Sequence, residues 1–317
     1  MTDTATMLRV ALDAAARGWH VFPLRPGDKR PVLHGADRCP RTGACTGGHV
    51  GWEQRATTDP ERIRRCWSVA PFNVGIATGP SGLVVLDLDT PKPGQDTPPE
   101  EWRLDGVHDG ADVFAVVCER AGQPAPLDTY TVTTGRGGTH LYYRHPDTGP
   151  QLRNTTGGTA GSLGWLIDTR AHGGYVVAAG SIVNGRRYTL AHDTTPAPLP
   201  DWLAARLRPA PLPPPPAQPV RPTTAGRSRY LAAAIAAEVA RVEQAPEGQR
   251  NQALYLAAVA LGQLVAGGAL TEAEVRDVLT QAAAGHLAAG AYSPRQAERT
   301  IASGLRAGAK RPRSVAA

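Results

Sequence analysis

Lysine is almost missing from this chain. Of its 34 basic residues only Lys29, Lys92 and Lys310 are lysines, the rest being arginines. With the alanine excess this bias fits a GC-rich genome, and the guanidinium fork also suits phosphate recognition. No apolar run approaches the ~18 residues that a membrane span requires. The opening MTDTATMLRVALDAAARG has no basic-then-apolar order of a secretory signal, so a soluble, cytoplasmic protein without membrane partners is expected. Cysteine is scarce, four in 317 residues, which excludes a disulfide scaffold. Disorder is excluded by a hydrophobic content of 41%, ample for packed cores. Thirty-four basic against 28 acidic residues give +6, a balance that permits a polyanionic partner without demanding one.

The length suggests about two domains. Their boundary lies in PAPLPPPPAQPVRP, residues 209–222, which holds 8 of the 29 prolines. Such a stretch lacks backbone donors and favours extended polyproline II. A domain over 1–208, a spacer over 209–225 and a helical domain over 226–317 are therefore expected. Before the spacer, short runs such as NVGIAT (73–78) and LVVLDLD (83–89) read as buried strands, with further strands at 130–134, 140–144, 165–168, 175–178 and 187–190. Helices are predicted over 5–17, from Asp59-Pro60 to Trp67, and over 109–121. Many strands with few helices between them argue for α+β rather than a doubly wound sheet. After the spacer, Leu254, Ala258, Leu261 and Val265 recur on one helical face, and Thr271–Glu274 and Ser293–Gln296 read as capping boxes.

Asp87-Leu88-Asp89 ends the run LVVLDLD. Residues i and i+2 of a strand share a face, so both carboxylates project together. Like charges at that separation repel unless cations share the site, and hard oxygen ligands suit Mg²⁺ or Mn²⁺. A turn with two solvated aspartates explains the dipeptide equally well. Asp168, in LGWLIDTR, would complete a two-metal site if the fold brought it beside the pair; alone it reads as a turn former. Between them, TTGRGGTH supplies Gly135, Gly137 and Gly138 for tight turns, Arg136 as fixed charge and His140 at a strand start. Taken by itself, a glycine-rich hairpin with a structural histidine describes it better.

A separate constellation is His34, Cys39, Cys45 and His49, four borderline ligands within 16 residues. They lie in a loop with little core-forming content, where Zn²⁺ is able to replace a core. Cys66 is an alternative to His34 as fourth ligand, and a metal-free loop with a reduced cysteine pair stays open.

The aspartate pair is similar to the nucleophile strand of haloacid dehalogenase-type phosphatases, but Pro91 stands where that pattern has Thr or Val, and no downstream Asp-Asp pair follows. A much broader resemblance exists. In order, RGWHVFPLRPGDKRP, NVGIATGPSGLVVLDLD, TYTVTTGRGGTHLYY, LGWLIDTR and GGYVVAAGSIVNGRRYTL resemble the bifunctional DNA primase/polymerase family of the archaeo-eukaryotic primase superfamily, across roughly residues 5–205. The resemblance implies an RNA-recognition-motif-like catalytic module beside a smaller α/β unit. It implies template-directed nucleotidyl transfer, primer synthesis and DNA polymerisation from NTPs or dNTPs, on a single-stranded DNA template, in replication of a plasmid, phage or integrated element. By it Asp87 and Asp89 match the first metal motif, Asp168 the third motif's carboxylate, and His140 the nucleotide-phosphate histidine. Thr139 stands where Ser is frequent and keeps a hydroxyl. Gly137 and Thr139 would border the triphosphate, with Arg136 and Arg170 as charge partners. Lys29 and Ser181 also sit in family-like wording, though turn and surface duties explain both as well. The helical part resembles extensions that follow primase modules, with Arg250, Asn251 and the basic tail as template contacts; an alanine-rich bundle for packing is the alternative. No GxxxxGK[ST] occurs in these residues, so helicase activity would come from a partner. A non-catalytic DNA-binding replication initiator is the competing function.

Overall fold

The computed structural model describes residues 3–35, 38–92, 94, 97–159, 161–208, 224–246 and 249–315. It divides into two compact units, Met1–Ala210 and Pro211–Ala317. The proline-rich segment expected as a spacer lies, over 209–223, outside the described residues.

The first unit is mixed α and β with mainly antiparallel sheets. It opens with α1 (Thr4–Ala16), whose first turn is capped by the Asp3 carboxylate accepting from Thr6 N–H. Next come β1 (Val21–Leu24), the short α2 (Trp52–Arg55) and α3 (Pro60–Trp67), the last capped by Asp59 with proline at its first position. β2 (Asn73–Ala77) and β3 (Leu83–Leu88) precede α4 (Gly110–Arg120), where Asp109 forms a reciprocal capping box with Asp112. Then follow β4 (Thr131–Thr133), β5 (Thr139–Arg144), β6 (Ile167–Arg170), β7 (Tyr175–Val177), β8 (Ile182–Val183), β9 (Arg186–Arg187), β10 (Thr189–His192), β11 (Ala197–Pro198) and α5 (Asp201–Leu207).

The larger sheet runs β10-β4-β5-β3-β6, antiparallel throughout, with β11 added in parallel to β5. A second sheet runs β1-β2-β7. Alternation along β3 divides the core. Val84, Leu86 and Leu88 pack with Val113, Phe114 and Val117 of α4 and Leu203 and Leu207 of α5. Leu83 and Val85 pack on the opposite face with Met7 and Ala11 of α1, Ile63 and Trp67 of α3, and Val74 and Ile76 of β2. Asp87 belongs by alternation to this second face, where the apolar cover gives way to a cavity.

Two strand expectations shift. β6 starts at Ile167 rather than at Trp165 because Leu166 adopts φ +57°, a left-handed conformation that breaks the ladder. The strand predicted over 187–190 divides into β9 and β10 around Tyr188, and β8–β9 close through Asn184-Gly185, both at positive φ, as a two-residue hairpin requires.

The second unit is helical: α6 (Thr224–Glu243), α7 (Arg250–Ala266), α8 (Glu272–Ala282), α9 (Ala284–Ala288) and α10 (Pro294–Ala309). Thr271 forms the predicted capping box with Glu274, whereas Ser293 caps α10 only by accepting from Gln296 N–H. Leu254, Ala258 and Leu261 are buried in its core and Val265 packs at the edge. α7 and α10 approach closely at glycines. A Cβ on Gly304 would lie 2.5 Å from Ala258 Cβ, and one on Gly308 would lie 2.4 Å from Val259 O. Gly304→Val is therefore expected to destabilise this unit by about 1–3 kcal/mol through overpacking. All six tryptophans lie in the first unit, so the change should appear as an earlier loss of helical circular dichroism in denaturant, with the tryptophan fluorescence transition unmoved.

Candidate active site and a second metal-capable cluster

The register of the larger sheet creates the site. Asp87 of β3 stands directly opposite His140 of β5 on one side and Asp168 of β6 on the other. Asp89 follows the strand end, where its N–H donates to Leu166 O and its carbonyl accepts from Gly110 N–H, each at 2.9 Å. The left-handed Leu166 aims that carbonyl, and Gly110 leaves room for it: a Cβ there would lie 2.4 Å from Leu166 O. One ligand atom from each of Asp87, Asp89 and Asp168 falls within 4.8 Å of the others. The three acids that the sequence separates are thus brought together.

Their surroundings differ. Asp168 accepts from Gly157 N–H at 2.7 Å and from Arg170 Nη2 at 2.5 Å. Asp87 Oδ1 is buried and accepts no hydrogen bond, with His140 Nε2 3.2 Å away. Burial opposes ionisation of Asp87, but the positive charges of His140, Arg170 and Lys29 outweigh it and hold the carboxyl below the ordinary range. For Asp89, burial, then the charges of Asp87 and Asp168, outweigh Lys92 and His140 and push its carboxyl up to about 6. An orphaned buried carboxylate oxygen beside an acid that resists ionisation is what a divalent cation would relieve, and the all-oxygen donor set fits Mg²⁺ or Mn²⁺.

A cavity of about 490 Å³ opens over the acids. Its rim carries Lys29, Lys92, Arg136, Arg170 and Arg186, an arrangement suited to a polyphosphate held against bound cations. An adjoining cavity of about 250 Å³ shares Lys29, Asp87, His140 and Arg170 and adds Tyr175. Tyr188 borders both; burial, then Asp87 and Asp89, push its phenol up to about 12, so it stays a neutral donor. Gly137, at φ +92°, turns the β4–β5 hairpin that presents Arg136, although it does not itself line either cavity.

Two sequence candidates lie elsewhere. Ser181 is fully buried and its hydroxyl accepts from Val74 N–H, a link within the fold. Thr139 lines neither cavity, because strand alternation sends it to the face of Leu141 and Tyr143, away from His140. Lys92, Arg186, Tyr175 and Tyr188 escaped the sequence reading; single basic or aromatic residues in turns carry no spacing signal. In the helical unit, Asn251 Oδ1 is engaged by the Thr300 hydroxyl at 2.8 Å.

The family described as bifunctional DNA primase/polymerase, N-terminal, matches residues 11–202. The chain belongs to this family. Membership suggests a DNA primase/polymerase, a domain that would bind nucleotides and a DNA template, and the match spans every acid and rim residue named above. A comparison with curated proteins gives no match. Among the described residues no helix is long and apolar enough to cross a membrane.

A second cluster forms in the loop after β1, where ligand atoms of His34, Cys39, Cys45 and His49 also lie within 4.8 Å of one another. Cys66 is not among them; it lies half-buried against the core of α1 and α3. The Val50 N–H donating to Cys45 Sγ lowers that thiol to about 6 against the effect of burial, helped by His34, Cys39 and Arg55. A thiolate paired with imidazoles is a metal-ligand set.

The raised Asp89 acid has a definite pH consequence. Its protonated form stabilises the metal-free fold below about pH 4, and this contribution is lost as pH rises through about 6. Cation binding must displace the same proton, so Mn²⁺ affinity measured by calorimetry is expected to fall about tenfold per pH unit below that value. Asp89→Asn should raise the metal-free unfolding free energy at neutral pH by roughly 1 kcal/mol, allowing for the solvent that reaches the group. It should also remove most of the stabilisation that Mn²⁺ gives the wild type.

Proposed function

We propose that this chain extends or initiates a nucleic-acid strand on a single-stranded DNA template by a two-metal mechanism. The observation that carries the reading is the convergence of Asp87, Asp89 and Asp168 beneath a basic rim. Bound as a pair, divalent cations would lower the pKa of the attacking hydroxyl and stabilise the departing pyrophosphate. Asp87 would hold them from β3, Asp89 from just past its end, and Asp168 from β6, oriented by Arg170 and the Gly157 amide. Lys29, Arg136 and Arg186 would neutralise the triphosphate and His140 would hold Asp87 in place while reaching toward a phosphate oxygen. The module is RNA-recognition-motif-like in this reading, supported by the chain order β3-α4-β4-β5-β6 laid out as β4-β5-β3-β6. Arg250 and the basic tail would serve the template, 1–208 would be the catalytic domain, and a separate helicase would unwind duplex for replication of a mobile element. The phosphatase reading is set aside, since the family match covers the aspartate pair.

Template-dependent incorporation with Mg²⁺ or Mn²⁺ tests this reading. Asp87→Ala and Asp168→Ala are expected to lose about 10²–10³-fold in rate, the scale of removing one preorganised electrostatic contact. Equal extension by wild type and both variants would defeat the catalytic assignment. DNA binding by all three, with no incorporation by the wild type, would favour the initiator.

The His/Cys cluster is proposed to hold Zn²⁺, which takes two thiolates and two imidazoles tetrahedrally. Val50 N–H and Arg55 Nη2 already donate to Cys45 Sγ, the latter at 3.0 Å, as outer-shell donors to a bound thiolate do. Elemental analysis of protein purified without chelators should find zinc equimolar with the chain. Its absence would leave a reduced cysteine loop.

A further inference from the structure

The His/Cys loop has little to hold it besides its four candidate ligands. Among the described residues of 32–49 only Cys45 is buried. The loop's own backbone hydrogen bonds, such as Cys45 N–H to Thr42 O and Gly48 N–H to Cys45 O, close single turns. Yet both of its ends connect to the wall of the nucleotide-side cavity. Upstream, the turn 25–30 carries Lys29 on the cavity wall, and the Lys29 carbonyl accepts from the Tyr175 hydroxyl at 3.0 Å. Three residues after His49 α2 begins, and its Trp52 and Glu53 reach residues of the cavity wall. Trp52 sits between Phe22 (4.8 Å, stacked) and Tyr175 (5.0 Å, edge-on). Glu53 Oε1 accepts from Gly173 N–H at 3.0 Å, three residues past Arg170. Arg55 closes the circuit, its guanidinium donating to Val50 O at 2.9 Å and to Cys45 Sγ at 3.0 Å.

We propose that the metal held by His34, Cys39, Cys45 and His49 is a positioning element for the incoming nucleotide, fixing the wall of Lys29, Gly173 and Tyr175 through Trp52 and Glu53. This rests on the zinc and nucleotidyl-transfer readings above. The ligands do not reach the three acids, so the metal takes no part in the chemical step; it acts on where the nucleotide lies. Its loss should weaken nucleotide binding and leave the rate at saturation nearly unchanged, because β3, β5 and β6 are held by their own ladders. A displaced wall of this kind typically costs one to two orders of magnitude in binding or rate.

The test compares the full-length wild type, Cys39→Ser and Trp52→Ala in excess Mg²⁺. It measures zinc content, amide hydrogen exchange, equilibrium binding of a nucleoside triphosphate, and KM against kcat for incorporation. Cys39→Ser is expected to lose zinc and to exchange faster around Lys29 and Gly173 while β3 and β5 keep wild-type protection. It should bind the triphosphate about tenfold more weakly, with KM raised in proportion and kcat within about twofold. Trp52→Ala should keep its zinc and show the same nucleotide defect. The proposal is overturned by unaltered triphosphate affinity in either variant, by a fall in kcat with KM unchanged, by faster exchange throughout β3 and β5, or by a wild type without zinc. A wild type that binds zinc and triphosphate, with the exchange and affinity pattern above in the variants, but incorporates nothing would overturn the nucleotidyl-transfer reading and leave the positioning role standing.

Discussion

Three carboxylates held within one ion's reach repel one another, and that repulsion is the constraint around which the first unit is organised. Asp87, Asp89 and Asp168 cannot all carry charge comfortably in a half-buried pocket without compensation. The fold answers unequally. Asp87 is flanked by His140, Arg170 and Lys29, Asp168 is hydrogen-bonded by Arg170 and a backbone amide, and Asp89 is left to bear the strain as a raised acid. Divalent cations would relieve that frustration, and in the proposed function the arginine and lysine rim would extend the same logic to a triphosphate.

Rigid elements maintain this arrangement. β3 is central in its sheet, paired on both sides, and buried by α4 and α5 on one face and by α1, α3 and β2 on the other. The acids therefore cannot move apart without breaking ladder hydrogen bonds. Glycine and a left-handed leucine make the close approach possible at the strand ends, where Gly110, Leu166 and Asp89 meet backbone to backbone. The His/Cys loop contrasts with this: it has no core, and its order is proposed to come from a bound ion.

Some of this was legible in the chain. The carboxylate pair at a strand end, the glycine-rich hairpin and the four-ligand loop each combine residue type with short-range spacing, and local geometry follows directly from such spacing. The helix caps at Asp59, Thr271 and Ser293 were legible for the same reason. Ser181 and Thr139 line neither cavity, and a hydroxyl in familiar wording says nothing of where the fold places it. Lys92, Arg186, Tyr175 and Tyr188 were hidden because each comes from a different turn or strand edge and joins the cavity only after folding.

By itself, then, the sequence determined the class of chemistry available: paired acids for hard cations, arginines for phosphate, soft ligands for a second ion, and an α+β pattern to carry them. Those are properties of residue type and of periods two and 3.6 along one chain. Only the tertiary structure decided that Asp168 pairs across from Asp87 and that His140 flanks it. It alone decided that His34, and not Cys66, joins the other three soft side chains. Strand register and loop closure join residues far apart in sequence, and no local spacing encodes them.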